Sequence, residues 1–215
     1  MRFVYTGMLR PWVGGKDLIL YTIGQIGVSG ALYRAMEFAG PVIEGLSMAG
    51  RFTMANMAIE AGAKAGLFEV DALTSAYVDG RAKREYHAVH GDADSSCLQT
   101  LGIDVTGIEP QVSLPHLPEN AHPVSEVTGV TIDQAVIGSC TNGRLEDLRV
   151  AAGILSGRQV HDGVRCIVIP GTQQVYLEAL REGLIETFIE AGALVSTPTC
   201  GPCVGGYMSI LTAGE

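Results

Sequence analysis

Three cysteines in two short motifs are the residues best suited to chemistry in this chain. Cys200 and Cys203 form a Cys-x-x-Cys pair within Pro-Thr-Cys-Gly-Pro-Cys-Val-Gly-Gly at 198–206, and Cys140 lies in Gly-Ser-Cys-Thr-Asn-Gly at 138–143. A sharp turn between two cysteines lets both thiols approach one metal centre. The pair alone is compatible with half of a zinc site, a redox dithiol or part of an iron–sulfur site.

The sequence around the pair bears on these alternatives. A redox dithiol normally opens a helix after the first strand of a thioredoxin-like domain, whereas this pair follows the last predicted strand. A structural zinc site needs four closed ligands, and no second Cys-x-x-Cys or His-x3-His motif follows. Three thiolates without a neutral fourth ligand suit an iron–sulfur cluster, because soft ligands select such centres. Cys97 and Cys166 have no partner at ligand spacing and are predicted to be small core residues.

The elements that must position these thiols form a β-α-β-α-β pattern. Strands are predicted at 134–137, 164–169 and 193–196, with helices at 144–157, at 173–181 and ending near 191. Asn142 is the predicted cap of the first helix. Sites in parallel sheets form beyond the carboxyl ends of the strands. Cys140 follows the first strand and the pair follows the last, so the three thiols are expected to meet at one edge.

The first half of the chain carries a second α/β pattern. Strands are predicted at 2–6, 33–38 and 67–70, with helices at 16–27, from Ser47 to about 62–66, and at 73–86. Asn56 and Glu60 lie four residues apart on the helix capped by Ser47, so they are predicted to share a face. That face is either solvated or directed into a cleft.

Prolines at positions 110, 115, 118 and 123 interrupt any regular pattern between the two halves. Residues 115–128 are therefore predicted to be a linker between an α/β domain at 1–114 and another at 129–215.

Composition excludes several classes of protein. With 47% hydrophobic and 17% charged residues among 215, the chain is expected to form one or two compact domains. The net charge of −9 argues against nucleic acid as a partner. Five irregularly spaced cysteines do not suggest a disulfide framework and favour a reducing cytoplasm. No apolar run reaches the roughly 20 residues of a membrane span, so no membrane is expected.

Four stretches resemble one known family. They are Gly-Ser-Cys-Thr-Asn-Gly-Arg-Leu-Glu-Asp-Leu at 138–148, Pro-Gly-Thr-Gln at 170–173, Pro-Thr-Cys-Gly-Pro-Cys at 198–203, and Asn-Met-Ala-Ile-Glu-Ala-Gly-Ala at 56–63. On these motifs the sequence resembles the aconitase superfamily, most closely the large, cluster-bearing subunits of 3-isopropylmalate dehydratase and homoaconitase. The resemblance covers almost the whole chain in collinear order. It implies two three-layer α/β domains with mainly parallel sheets.

The resemblance also implies the residues of the site. Six of them would hold or surround a [4Fe–4S] cluster: the ligands Cys140, Cys200 and Cys203, and the neighbours Ser139, Thr141 and Asn142. Glu60 would be the acidic catalytic group near the iron that engages substrate and water, with Asn56 beside it. The implied activity is that of a hydro-lyase, which isomerises a hydroxy di- or tricarboxylic acid by removing water and adding it back.

The departures from the family pattern concern activity and partners. Family large subunits have an earlier domain with His and Asp–His catalytic groups and a later Asn-Arg-x-Phe-type segment that holds substrate carboxylates. We therefore expect a fragment or split subunit that carries a cluster and shows little or no isomerase activity alone. Expected partners are a hydroxy-acid substrate, a small subunit with the swivelling domain and catalytic serine, and a chain supplying the N-terminal domain.

Isopropylmalate, an intermediate of leucine biosynthesis, is the expected substrate over homocitrate, citrate and methylated malates. The short Thr-Pro-Thr-Cys at 197–200 favours isopropylmalate. The expectation that the large and small subunits are separate chains favours it too. The alternatives are a homoaconitase- or aconitase-type enzyme of another pathway, a non-catalytic iron–sulfur or RNA-binding relative, and an inert truncation product.

Overall fold

The computed structural model describes residues 1–92, 94–204, 207–208 and 210–214. Contacts divide the chain into two compact units, Met1–Thr128 (unit 1) and Gly129–Glu215 (unit 2). Gly205 and Gly206, at the end of the second cysteine stretch, lie outside the described residues. No helix in the described part of the chain is both long and apolar enough to cross a membrane.

Unit 1 contains a parallel sheet and a short antiparallel ribbon. The sheet strands are β1 (Arg2–Thr6), β2 (Ala35–Ala39), β3 (Ala65–Phe68) and β4 (Thr100–Asp104). Their order is β3-β2-β1-β4, and each neighbouring pair is parallel. The ribbon pairs β5 (Gln111–Ser113) with β6 (Ala121–Pro123).

Helices connect the strands of unit 1. They are α1 (Gly15–Ile26), α2 (Pro41–Glu44), α3 (Met48–Met57) and α4 (Ala72–Asp79), with 3-10 turns at Ala58–Ala61 and Val124–Glu126. Ser47 caps α3 as predicted, since its hydroxyl accepts a hydrogen bond of 3.1 Å from the backbone N–H of Gly50.

Alternation along the strands buries one face of the unit 1 sheet. The core side chains on this face are Phe3, Tyr5, Met36 and Phe38, which pack in one cluster with Leu18, Ile19 and Ile23 of α1. Successive strand residues point to opposite faces. On the other face, Arg2 and Glu37 form an ion pair at 3.2 Å with both side chains substantially exposed.

The segment 115–128, predicted to be a linker, lies within unit 1 and contains β6. The ribbon packs against α1, and the carboxylate of Glu119 accepts a hydrogen bond of 2.7 Å from the backbone N–H of Val28. The division between the units falls at the end of this segment, between Thr128 and Gly129. Its role in connecting two domains stays a prediction.

The helix predicted at 73–86 is shorter in the structure, because α4 ends at Asp79. Gly80 follows, and glycine is a poor helix former. Beyond it, the Arg81 guanidinium stacks on the Tyr77 ring at 3.8 Å. Cys97 lies in the irregular segment that follows and is exposed, so the prediction that it is a core residue is wrong.

Unit 2 has the predicted β-α-β-α-β arrangement. Its strands are β7 (Gln134–Gly138), β8 (Arg165–Ile169) and β9 (Leu194–Val195), and its helices are α5 (Ser139–Asn142), α6 (Leu145–Leu155), α7 (Gln173–Arg181) and α8 (Leu184–Glu190), with a 3-10 turn at Gly201–Val204. The strands are parallel in the order β7-β8-β9. With unit 1, this confirms the α/β class with mainly parallel sheets.

The central strand β8 carries the core of unit 2. Cys166 and Val168 pack with Leu148 of α6 and Phe188 of α8. The prediction that Cys166 is a core residue is therefore confirmed. Ile169, at the carboxyl end of β8, is fully buried. The loops that follow β7, β8 and β9 emerge at this end of the sheet and position the candidate site.

Candidate functional site

The loop that carries Cys140 begins at the carboxyl end of β7. Gly138 has φ +103°, and a Cβ there would lie 2.2 Å from the carbonyl oxygen of Ile169. Ser139 follows with φ +68°, a left-handed backbone conformation that residues with a side chain rarely adopt. The backbone N–H of Gly171 donates a 2.7 Å hydrogen bond to Gly143, which fixes the far end of the loop against the turn after β8. The loop that carries Cys140 therefore packs closely against the end of β8 and the turn that follows it.

The second cysteine motif approaches the same place from β9. Gly201 has φ +65°, and a Cβ there would lie 2.6 Å from Cδ1 of Ile169 and 4.0 Å from Cβ of Ser139. A larger residue would displace one of these neighbours. Glycine between the two motif cysteines thus allows the second loop to approach the first.

The fold brings two of the three thiols close enough to interact. Cys140 and Cys200 lie within hydrogen-bonding distance, and the charge of Cys140 raises the pKa of Cys200. The hydrogen bond, burial and the charge of Cys203 raise that pKa further, in decreasing order. Cys140 is half-buried, whereas Cys200 and Cys203 are exposed. Three thiols therefore interact electrostatically at one sheet edge, and their role as ligands stays a prediction.

The donors that meet at this sheet edge are thiols. In the described part of the chain, no group of three or more His, Cys, Asp or Glu side chains has the spacing to hold one metal ion. In an iron–sulfur cluster each protein thiolate binds a different iron. Thiolates are also the ligands that these clusters prefer. The residues present fit an iron–sulfur group.

The polar neighbours of Cys140 line the first loop. Ser139, Thr141 and Asn142 are half-buried, and the Thr141 hydroxyl lies 3.9 Å from the Cys140 sulfur. Asn142 does not cap α6 as predicted. The acceptor at the start of that helix is Asp147, whose Oδ2 receives a 2.9 Å hydrogen bond from the backbone N–H of Arg144.

Asp147 is the third residue of α6, after Leu145 and Glu146. In the structure its other oxygen, Oδ1, accepts a 3.3 Å hydrogen bond from the side-chain amide of Asn142. A capping position three residues into a helix predicts the bond to Arg144. The bond to Asn142 depends on how the preceding loop folds, so sequence spacing does not reveal it.

Asn56 and Glu60 belong to unit 1, and the predicted α-helix ends before it reaches Glu60. The helix α3 ends at Met57, and Glu60 lies on the 3-10 turn that follows. Gly62, with φ +78°, closes this turn in the left-handed conformation typical of a helix end. Both side chains are exposed. Their catalytic roles stay predictions.

Comparison with known proteins extends over the whole chain. The aconitase family (aconitate hydratase) matches residues 1–129 and 125–215. The 3-isopropylmalate dehydratase large subunit of Moorella thermoacetica is 67% identical over 99% of this chain and 51% of its own length. The Halothermothrix orenii large subunit is 64% identical, and large subunit 1 of Pyrococcus furiosus 58%, each over 100% of this chain and 51% of its own length. The chain spans about half the length of the curated relatives it matches.

Proposed function

The chain belongs to the aconitase family, and we propose that it is the cluster-bearing portion of a hydro-lyase, 3-isopropylmalate dehydratase. The proposed reaction isomerises a hydroxy dicarboxylic acid in leucine biosynthesis by dehydration and rehydration. The observation that carries the proposal is that Cys140 and Cys203 both lie close enough to Cys200, at the carboxyl edge of a parallel sheet, to raise its pKa. The shared name of the relatives at 58–67% identity supports the choice of substrate.

The proposed ligands of a [4Fe–4S] cluster are Cys140, Cys200 and Cys203. When bound, such a cluster supplies a Lewis acid at the iron without a cysteine ligand, which helps a hydroxyl group to leave. The positive φ angles of Gly138 and Gly201 support the assignment, because they let the two cysteine loops approach each other closely.

The proposed role of Ser139, Thr141 and Asn142 is to surround the cluster. Their hydroxyl and amide groups can donate hydrogen bonds to sulfur, which lowers the electron density on thiolates and sulfides. Their half-buried positions support this role, since a hydrogen bond is stronger where water competes less.

Glu60 and Asn56 are the proposed catalytic residues. A carboxylate can take a proton from a carbon next to a substrate carboxyl group and return it in the reverse step. Asn56 can orient the substrate by donating and accepting hydrogen bonds. Their support is the match of residues 56–63 to the family motif and the exposure of both side chains.

The proposed partners follow from the proposed enzyme. They are a small-molecule hydroxy acid, a small subunit carrying the swivelling domain, and a chain supplying an N-terminal domain. The relatives are named as large subunits, which supports a small-subunit partner. We place the protein in a reducing cytoplasm, where free thiols can hold iron and sulfide.

Metal analysis tests the proposed site. The chain is purified without oxygen and reconstituted with iron and sulfide, and its iron, sulfide and zinc contents are measured with absorption and EPR spectra. We expect about three to four irons per chain, as a cubane cluster requires. Cys140→Ala should lose most of this iron, whereas Cys97→Ala, a control at an exposed cysteine outside the site, should keep it. Zinc loading, or iron retained by Cys140→Ala, would exclude the proposed cluster site.

A further inference from the structure

Asp147 connects the Cys140 loop to the helix that follows it. Its Oδ1 accepts from the Asn142 amide at 3.3 Å, and its Oδ2 accepts from the backbone N–H of Arg144 at 2.9 Å. One carboxylate thus binds a side chain two residues after Cys140 and the backbone four residues after it. Both ends of this connection lie within unit 2.

The loop has little freedom to compensate for losing this connection. A Cβ on Gly143 would lie 2.4 Å from the carbonyl oxygen of Ser139 and 2.6 Å from the backbone nitrogen of Gly171. Gly138 is similarly pressed against Ile169. Contacts with β8 and its following turn therefore hold the two ends of the loop through backbone atoms. The hydrogen bond between Asp147 and Asn142 is instead a side-chain contact, with the part of the loop that lies between these two ends.

The surroundings of Asp147 strengthen its hydrogen bonds. Asp147 lines a cavity of about 420 Å³ whose other lining residues are mainly apolar, with Val150, Ile154 and Leu155 among them. Burial raises the pKa of Asp147, while the bonds from Arg144 and Asn142 lower it. A hydrogen bond to a charged group contributes more where solvent is excluded.

We propose that Asp147 is a positioning residue, which fixes the Cys140 thiol for its contact with Cys200 by holding Asn142 against the first turn of α6. The importance of this positioning for the cluster rests on the function proposed above. A carboxylate that acted only as a helix cap would stabilise α6 through Arg144 and leave the thiol geometry unchanged.

Thiol capture in the metal-free protein tests the proposal without depending on the cluster. Brief treatment with diamide, which takes two hydrogens from a pair of thiols, converts neighbouring cysteines to a disulfide. Peptide mapping by mass spectrometry then gives the rate at which the Cys140–Cys200 bond forms. The rate is compared in wild type, Asn142→Ala, Asp147→Ala and the double variant, at a temperature where all are folded by circular dichroism.

We expect each single substitution to slow formation of the Cys140–Cys200 bond, Asp147→Ala by about tenfold. The double variant should be no slower than Asp147→Ala, because both substitutions remove the same connection. Glu146→Gln, which changes a neighbouring carboxylate in the same helical turn, should leave the rate unchanged. Independent, multiplying effects of Asn142→Ala and Asp147→Ala would overturn the proposal, as would a wild-type rate in Asp147→Ala.

Exchanging the hydrogen-bond donor and acceptor at positions 142 and 147 gives a second test of the proposal. In Asn142→Asp combined with Asp147→Asn, the new amide can donate to the new carboxylate while its oxygen still accepts from the Arg144 N–H. We expect this pair to restore the wild-type capture rate that Asn142→Asp alone loses through repulsion between carboxylates. A pair no faster than Asn142→Asp would overturn the proposal.

Iron reconstitution separates this proposal from the proposed function. If wild type binds no iron but the thiol-capture cycle shows coupling, the cluster assignment fails and the positioning role stands. If wild type binds the cluster and the cycle shows no coupling, the positioning role alone fails.

Discussion

Gly138 and Ile169 approach each other so closely at the edge of the unit 2 sheet that a Cβ on Gly138 would lie 2.2 Å from the Ile169 carbonyl oxygen. The two residues are paired at the carboxyl ends of β7 and β8. This contact determines how the chain turns from β7 into the loop that carries Cys140.

Gly138→Ala should therefore disrupt the cysteine site. Both the positive φ angle and the clash with a backbone oxygen oppose a methyl group at this position. We expect a loss of several kcal/mol, above the roughly 1–2 kcal/mol of left-handed strain alone, and a loss of iron after reconstitution. Gly157→Ala is the matched control, because Gly157 also has positive φ, at +69°, but nothing lies within 4 Å of its added Cβ. Equal losses in urea unfolding would show that the contact with Ile169 does not matter.

Removing Cys140 should make Cys200 more reactive. The charge of Cys140 is the largest cause of the raised pKa of Cys200. In Cys140→Ala that cause is absent, so the pKa of Cys200 should fall and its thiolate fraction at pH 8 should rise. Iodoacetamide labelling of metal-free protein, read by mass spectrometry, should show faster modification of Cys200. The buried Cys166, whose pKa burial raises, serves as the internal control and should stay slow in both proteins. Unchanged labelling of Cys200 would contradict the contact between the thiols.

Arg51 and Asp71 should make unit 1 sensitive to acid. Arg51 is 3% exposed, and its guanidinium lies 2.6 Å from the Asp71 carboxylate and holds the pKa of that group well below its usual range. A carboxyl group with a lowered pKa in the folded state contributes its full stability above its unfolded pKa of about 3.9. This contribution is lost as the pH falls from there towards the folded pKa.

Asp71→Asn should cost unit 1 about 3 kcal/mol at pH 7, because the buried Arg51 loses its counter-charge. Urea unfolding at pH 7 and at pH 3 measures both the loss and its pH dependence. The difference between wild type and variant should shrink at the lower pH. A difference that stays constant between the two pH values would show that the charge of Asp71 is not the cause.

Asp17 should anchor the ribbon of β5 and β6 to α1. Its buried carboxylate accepts hydrogen bonds from the backbone N–H groups of Gln111 at 2.7 Å and Gly14 at 2.8 Å. Asp17→Ala would leave both donors without this acceptor, at a cost of about 3 kcal/mol. Hydrogen exchange of Gln111 should accelerate correspondingly. Asp104→Ala removes an exposed acceptor of Thr106 and should have a smaller effect. If the Gln111 amide exchanges as slowly in Asp17→Ala as in wild type, this anchoring role is excluded.

The α/β class can be predicted from the sequence, because the alternation of apolar segments with turn residues depends on local periodicity. The sequence placed β1 and α7 at their observed bounds, Arg2–Thr6 and Gln173–Arg181. It also placed the three cysteines after strands of one parallel sheet, since the order of elements fixes which loops share an edge. The motifs carried the resemblance to the aconitase family, which the comparison with known proteins bears out.

Which side chains contact each other depends on the three-dimensional fold. The change from α-helix to 3-10 turn after Met57, which leaves Glu60 outside α3, falls within a stretch whose apolar spacing predicts one continuous helix. The strand β6, which lies within 115–128, required β5 as a partner, and no local pattern identifies a three-residue strand. The bond between Asn142 and Asp147 and the contact between Cys140 and Cys200 arise where separate segments meet. Such contacts depend on packing and backbone direction, which a linear spacing of residue types does not specify.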